Sequence, residues 1–284
     1  MMDLLLDPLS YAFVLRGLAA GMLAALSCAL LSAFVVWRGM AFVGDALAHA
    51  ILPGIVLAYA LGFSLFFGAL GAAAVAVVLI GAISGQRRLK EDTAIGIVFS
   101  GFFALGVLFM SSITTYQDLG HVLFGNILGV GSSDLVVMSV VVFVTVAALA
   151  GSYKELLVTS FDPAHSVAIG LSPSAIRYLL LFLLALTTVV AIQTVGVILV
   201  LSLLVTPGAT ASMISKSLRS IMVLSVLMSL TATLIGFYVS YYGDVASGPA
   251  IVLTLTLFFG LAFGFSRMSN RRRLTAPARQ SPSR

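Results

Sequence analysis

Charge is what this sequence has least of. Only 9% of its 284 residues are Asp, Glu, Lys or Arg, and 61% are hydrophobic, with a mean hydropathy of +1.16. Soluble globular domains carry roughly 25% charged residues, so a water-soluble domain is excluded. The single cysteine, Cys28, lies inside an apolar run, which rules out a disulfide framework and reads as packing. Alternating strand-length segments are missing, which argues against a β-barrel. No G-x-x-x-x-G-K-[ST] phosphate loop, H-E-x-x-H helix or G-x-S-x-G elbow occurs, so the chain is not expected to hydrolyse ATP by itself.

What is there is apolar length. Stretches of about 20 residues, enough to cross about 30 Å of hydrocarbon as helix, recur between short polar breaks. They predict an all-α, polytopic transmembrane bundle of about nine spans (eight to ten), at 12–36, 41–62, 64–84, 93–112, 134–153, 174–192, 195–214, 220–241 and 248–266. The start, "MMDLLLDPLS", has acids where a secretory signal carries positive charge, so the first span is expected to stay in the mature protein.

With nine spans the termini fall on opposite sides. Arg38, Arg87, Arg88, Lys90, Lys154, Arg177, Lys216, Arg219 and the arginines from Arg267 onward then share one side, leaving only Arg16 on the other. The positive-inside rule makes that side cytoplasmic, with the N-terminus outside and the C-terminus inside. The net charge of +5 therefore reads as topology and lipid contact, with no nucleic-acid partner. Residues 1–266 form the permeating domain. Residues 267–284, basic and rich in Ser and Pro, read as a disordered cytoplasmic tail held near anionic lipid.

Asp45 is the one acid left within a span, in "GDALAHA", and His49 stands four residues on. Residues i and i+4 share a helical face, so carboxylate and imidazole can address one point. An ionised Asp in the bilayer costs about 2.5–3.5 kcal/mol and needs a partner. Two readings stay open: the pair braces its own helix, or it binds a divalent cation. Two ligands are too few for a closed site, and a two-fold dimer would supply two Asp and two His, a donor set suited to Mn²⁺, Fe²⁺ or Zn²⁺. Gly44, Ala46, Ala48, Ala50 and Gly54 permit close helix approach, and Pro53 frees a backbone carbonyl in mid-span.

The loop at 154–173 is punctuated: Asp162 as N-cap, Pro163 at the first helical position, Gly170 at the C-terminal cap, then Ser172-Pro173 opening the next helix. It predicts a short cytoplasmic helix near 162–170, either a linker or a docking element; His165 on it reads as solvated or interfacial. In the external loop at 111–134, Asp118 and His121 stand i, i+3, where they could meet a cation at the mouth or where Asp118 caps a helix. Pro207-Gly208, deep in the seventh span, is a gate hinge or a kink and leaves backbone groups needing another partner.

Taken together, "VVWRGMAFVGDALAHAILPGIVLAYALG", "EDTAIGIVFSGFFALGVLF", "DLGHVLFGNILGV", "LLVTSFDPAHSVAIGL" and "QTVGVILVLSLLVTPGATA" resemble the membrane permease subunit of bacterial ATP-binding-cassette importers for manganese, zinc and iron. The resemblance covers roughly residues 30 to 250. It implies an inner-membrane transport subunit with no permanently bound cofactor, carrying a divalent metal as cargo. Asp45 and His49 fall on the family's metal-handling acid and histidine. "FDPAHSVAIGL", with Phe161, Asp162, Pro163 and Gly170, falls on the loop that docks on the ATPase. The implied partners are a second permease copy, separate ATPase subunits and an extracytoplasmic metal-binding protein. "HVLFGNILGV" and "EDTAIGIVFS" stand closer to the manganese and iron members than to the zinc ones. The runner-up readings are an ion-coupled secondary transporter using Asp45, and an intramembrane metalloenzyme, for which no general base or further ligands are found.

Overall fold

The computed structural model describes residues 10–85, 89–112 and 127–274, without the side chains of Leu128 and residues 269–274. Asp118, His121 and the tail beyond Leu274 lie outside the described residues. Among these residues no strand occurs, and nine helical segments are long and apolar enough to cross a membrane.

The first span is α1 (Ala12–Arg38). The second is two short helices in line, α2 (Val43–Ala50) and α3 (Leu52–Leu61). Then follow α4 (Leu65–Ser84), α5 (Glu91–Ser111), α6 (Ser132–Gly151), two short helices α7 (Tyr153–Phe161) and α8 (Pro163–Ala168), and the spans α9 (Pro173–Val195), α10 (Val197–Ile214), α11 (Leu218–Gly243) and α12 (Ser247–Leu274). The span count agrees with the hydropathy reading. The region after 153 differs, because "YKELLVTSF", expected as loop, is helix α7. The ninth helix continues past residue 266 into the basic segment as far as Leu274.

α1 is the centre of the bundle, packed against α6, α9, α10 and α11. Its buried positions include Gly17, Ala20, Gly21, Ala24, Ala25, Cys28 and Ala29. Without a hydrophobic force between helices in lipid, small residues of this kind bring backbones close enough for dispersion contacts. α4, α5 and α6 lie further out and expose much of their apolar surface, as lipid-facing helices do.

The helix ends follow from local chemistry. Gly39, after α1, has φ 70°, and the Gly39 and Met40 N–H groups reach back to the Val36 and Val35 carbonyls at 3.2 and 2.9 Å. That turn satisfies carbonyls the helix end would leave orphaned and reverses the chain into α2. Arg38, the ends of α4 and α7, and the starts of α5 and α9 converge at one end of the bundle, where Arg177 also donates to the Ser84 carbonyl at 3.4 Å. This is the basic end.

Candidate functional site

Asp45 sits in the first turn of α2, which begins one tight turn after α1. The break after this helix has a local cause. Pro53 has no N–H for the His49 carbonyl four residues back, so that carbonyl loses the partner an unbroken helix would give it. Ile51 keeps helical angles (φ −75°, ψ −18°), so α2 and α3 stay in line while the ladder is interrupted directly below His49.

His49 Nε2 lies 3.4 Å from Asp45 Oδ1. A charge-assisted hydrogen bond between them would run at about 2.7–2.9 Å, so the imidazole and the carboxylate face each other without clamping. The His49 ring packs against both Phe99 and Phe103 of α5, with centroids 5.5 and 5.3 Å away, and those two phenyls stack on each other at 5.9 Å beside it. α2 itself is fixed from behind: Gly44 leaves just enough room for Leu204 of α10, which a Cβ would approach to 2.9 Å. The ring is therefore positioned by α5 and the helix by α10. The side chains stay accessible, at 42% for Asp45 and 30% for His49. Among the described residues no group of three or more His, Cys, Asp or Glu converges, so this chain offers a pair of donors on an open face.

At the basic end, Asp162 caps α8, its Oδ1 accepting the His165 N–H at 2.8 Å, and Pro163 occupies the first helical position. Gly170 has φ 83°. The Gly170 and Leu171 N–H groups bond the Val167 and Ser166 carbonyls at 3.0 and 2.9 Å, closing the helix in the manner of the α1 end. Phe161 is 54% exposed on one side of this unit and its ring lies 4.7 Å from that of Trp37. The Ser172 hydroxyl caps α9 through the Ala175 N–H at 3.4 Å. Every element of the punctuation predicted from 162–173 is realised.

Two residues matter here that sequence reasoning passed over. Ser32, buried in α1, accepts the Gly208 N–H at 2.9 Å and donates to the Val205 carbonyl at 3.4 Å. It ties α10 to α1 on either side of Pro207. Arg38 reaches Thr159 and Ser160 of α7. Both links join segments more than a hundred residues apart, and neither leaves a local signal. Of the external loop only its end is described: a 3₁₀ turn at Ile127–Gly129 with Ile127 buried near Gly21 of α1.

The model of the ABC 3 transport family matches residues 10–266. A manganese transport system membrane protein, MntC, of Listeria monocytogenes is 41% identical over 258 residues, covering 91% of this chain and 92% of the relative. A probable iron transport system membrane protein of Haemophilus influenzae is 40% identical over 271 residues, 95% of this chain and 100% of the relative. Among solved structures, PsaBC from Streptococcus pneumoniae in complex with Fab superposes with a TM-score of 0.80 at 37% identity, covering 93% of this chain and 95% of that one.

Proposed function

The chain belongs to the ABC 3 transport family, and from that premise we propose that it carries Mn²⁺ into the cell, with Asp45 and His49 as ligands of the passing ion. It is a multi-pass protein of the bacterial inner membrane and a transport subunit; ATP hydrolysis belongs to a separate subunit. The relatives' names carry manganese and iron, and oxygen-plus-nitrogen ligation accepts Mn²⁺, Fe²⁺ and Zn²⁺, so iron and zinc are the alternatives within the same reading.

The observation that carries the reading is the 3.4 Å between His49 Nε2 and Asp45 Oδ1. An ion about 2.1 Å from each atom, the usual length of such bonds, sees the two donors at about 110°, an ordinary angle between neighbouring ligands. The pair is thus spaced as two corners of a coordination polyhedron. A second copy facing it across a two-fold axis supplies the other two donors, and its carboxylate brings the charge of the four-ligand set to −2, matching a divalent ion. The same partner covers Asp45, whose exposure to lipid as a lone ionised group would otherwise cost about 2.5–3.5 kcal/mol.

In this arrangement the basic end faces the cytoplasm and α7–α8 docks the ATPase through Phe161, Asp162, Pro163 and Gly170. An extracytoplasmic metal-binding protein delivers the ion at the opposite end. The test is to purify the chain from its native membrane and measure uptake into vesicles. Expected are copurification of an ATPase and ATP-dependent Mn²⁺ uptake with Fe²⁺ and Zn²⁺ as weaker competitors. Uptake driven by a proton gradient without any ATPase subunit would overturn it.

A further inference from the structure

Arg38 is the last residue of α1 and sits against a unit that begins 115 positions later, at Tyr153. Its Nε–H donates to Ser160 Oγ at 3.0 Å and its Nη2 to Thr159 Oγ1 at 3.2 Å. Both hydroxyls are themselves anchored, Thr159 donating to the Glu155 carbonyl at 2.8 Å and Ser160 to the Leu156 carbonyl. The guanidinium therefore meets two acceptors whose rotamers α7 has already set. One residue before it, the Trp37 ring packs on Phe161. α1 grips the docking unit by two consecutive side chains, one polar and one aromatic.

On its other side Arg38 leads straight to the ion-binding pair. The chain turns at Gly39, buries Met40 completely, and enters α2 with Asp45. Arg38 also interacts electrostatically with Glu91, which opens α5, and with Arg177, near the start of α9. α5 and α9 both pack against α2, and α5 carries the two phenyls around His49. The charged groups facing Arg38 thus lie on the helices that position the pair.

We propose that Arg38 is the positioning residue that transmits displacement of the α7–α8 docking unit to the Asp45–His49 helix. The proposal rests on the reading of α7–α8 as the ATPase contact and of Asp45 and His49 as ligands. The covalent routes out of the docking unit lead into α6 and α9, and along the chain α2 lies more than a hundred residues from α7. The Arg38 bonds shorten that path: they tie α7 sideways to the corner between α1 and α2, seven positions before Asp45, with one left-handed turn at Gly39 between them whose N–H, like that of Met40, bonds back to α1.

The experiment uses the whole importer, chain plus copurifying ATPase plus metal-loaded binding protein, in liposomes where ATP hydrolysis and Mn²⁺ uptake are read together. Arg38→Met, Thr159→Val with Ser160→Ala, and the triple variant are compared with the unaltered chain. Expected is normal ATPase copurification and normal hydrolysis without the binding protein, with Mn²⁺ carried per ATP lowered on the order of tenfold, within the span of ordinary allosteric couplings. The double and triple variants should match Arg38→Met, because one linkage is lost once. Unchanged Mn²⁺ per ATP in Arg38→Met overturns the proposal. So does a normal Thr159→Val, Ser160→Ala protein beside a defective Arg38→Met, and so does loss of the ATPase on purification, which makes Arg38 part of the docking surface instead. If Arg38→Met does not accumulate, the Thr159→Val, Ser160→Ala variant decides. No ATP-dependent Mn²⁺ uptake by the unaltered chain would sink the underlying functional reading and not the relay alone.

Discussion

Ser32 Oγ accepts the backbone N–H of Gly208 at 2.9 Å, one residue beyond the proline of α10, and so holds that helix against α1. The approach is close: a Cβ on Gly208 would stand 2.5 Å from Ser32 Oγ and 2.6 Å from the Ser32 carbonyl oxygen. Ser32→Ala should therefore cost about 0.5–1.5 kcal/mol, the net worth of a buried hydrogen bond, and Gly208→Ala a similar or larger amount, about 1–3 kcal/mol, through overpacking. Because the backbone oxygen also blocks the space, Ser32→Ala should not rescue Gly208→Ala. Thermal midpoints in detergent check this, and a rescued double variant would mean that the hydroxyl alone sets the spacing.

Asp45→Asn and His49→Ala should each assemble with the ATPase and lose most Mn²⁺ uptake. A neutral amide oxygen is a poor ligand for a divalent ion, although it keeps the shape of the carboxylate. The double variant should be scarcely worse than either single, since two ligands of one site act as a unit. Uptake at matched membrane expression decides, and near-normal import by Asp45→Asn returns the pair to helix bracing.

At Gly170 the backbone is left-handed (φ 83°) and a Cβ would meet nothing within 4 Å. Any effect of substitution is thus conformational and not steric crowding. Gly170→Val should strain the end of α8 by about 1–2 kcal/mol or more, and Gly170→Asn by less, because asparagine tolerates this region. The expected readout is weaker retention of the ATPase during purification in the order Gly, Asn, Val, with metal binding unchanged. Equal retention in all three would separate α8 from docking.

Gly54 of α3 and Gly68 of α4 each occupy the place that the other's Cβ would need, backbone against backbone. Alanine at either position must push the two helices apart, at about 1–3 kcal/mol. The two single variants should lower the thermal midpoint by similar amounts, and the double should fall short of their sum because the first substitution already opens the gap. Full additivity would show that the glycines act separately.

The spans were legible because lipid imposes one rule on every stretch of the chain, apolar length, and that rule needs no knowledge of neighbours. The α8 helix was legible for a related reason: Asp162, Pro163 and Gly170 act on their own backbone within eight residues. α7 was missed because "YKELLVTSF" is too polar for a span; Ser152 and Glu155 spell the S-x-x-E of a capping box ahead of it, but the Ser152 side chain makes no cap bond. The i, i+4 pair could be found in the sequence, but its setting could not. Phe99 and Phe103 lie about fifty residues from His49, and nothing in their own segment distinguishes them from lipid-facing aromatics. Ser32 and Arg38 are invisible for the same reason, as ordinary residues whose partners come from across the fold.

The second span, interrupted at Ile51 and bearing Asp45, averages a hydropathy of 1.5, against 1.9 to 2.5 for the other eight. During synthesis it is therefore the segment least able to leave the translocon for lipid unaided, since it is the least apolar of the nine and carries an acid in its first turn. The next span, α4, is the most apolar of the nine at 2.5. A hairpin of the two partitions far better than the first half alone, and the Gly54–Gly68 seam is where such a hairpin closes. Those glycines then govern biogenesis before they govern stability. Chains altered there should show α3 misplaced in glycosylation-site mapping, even at temperatures where the finished protein would hold.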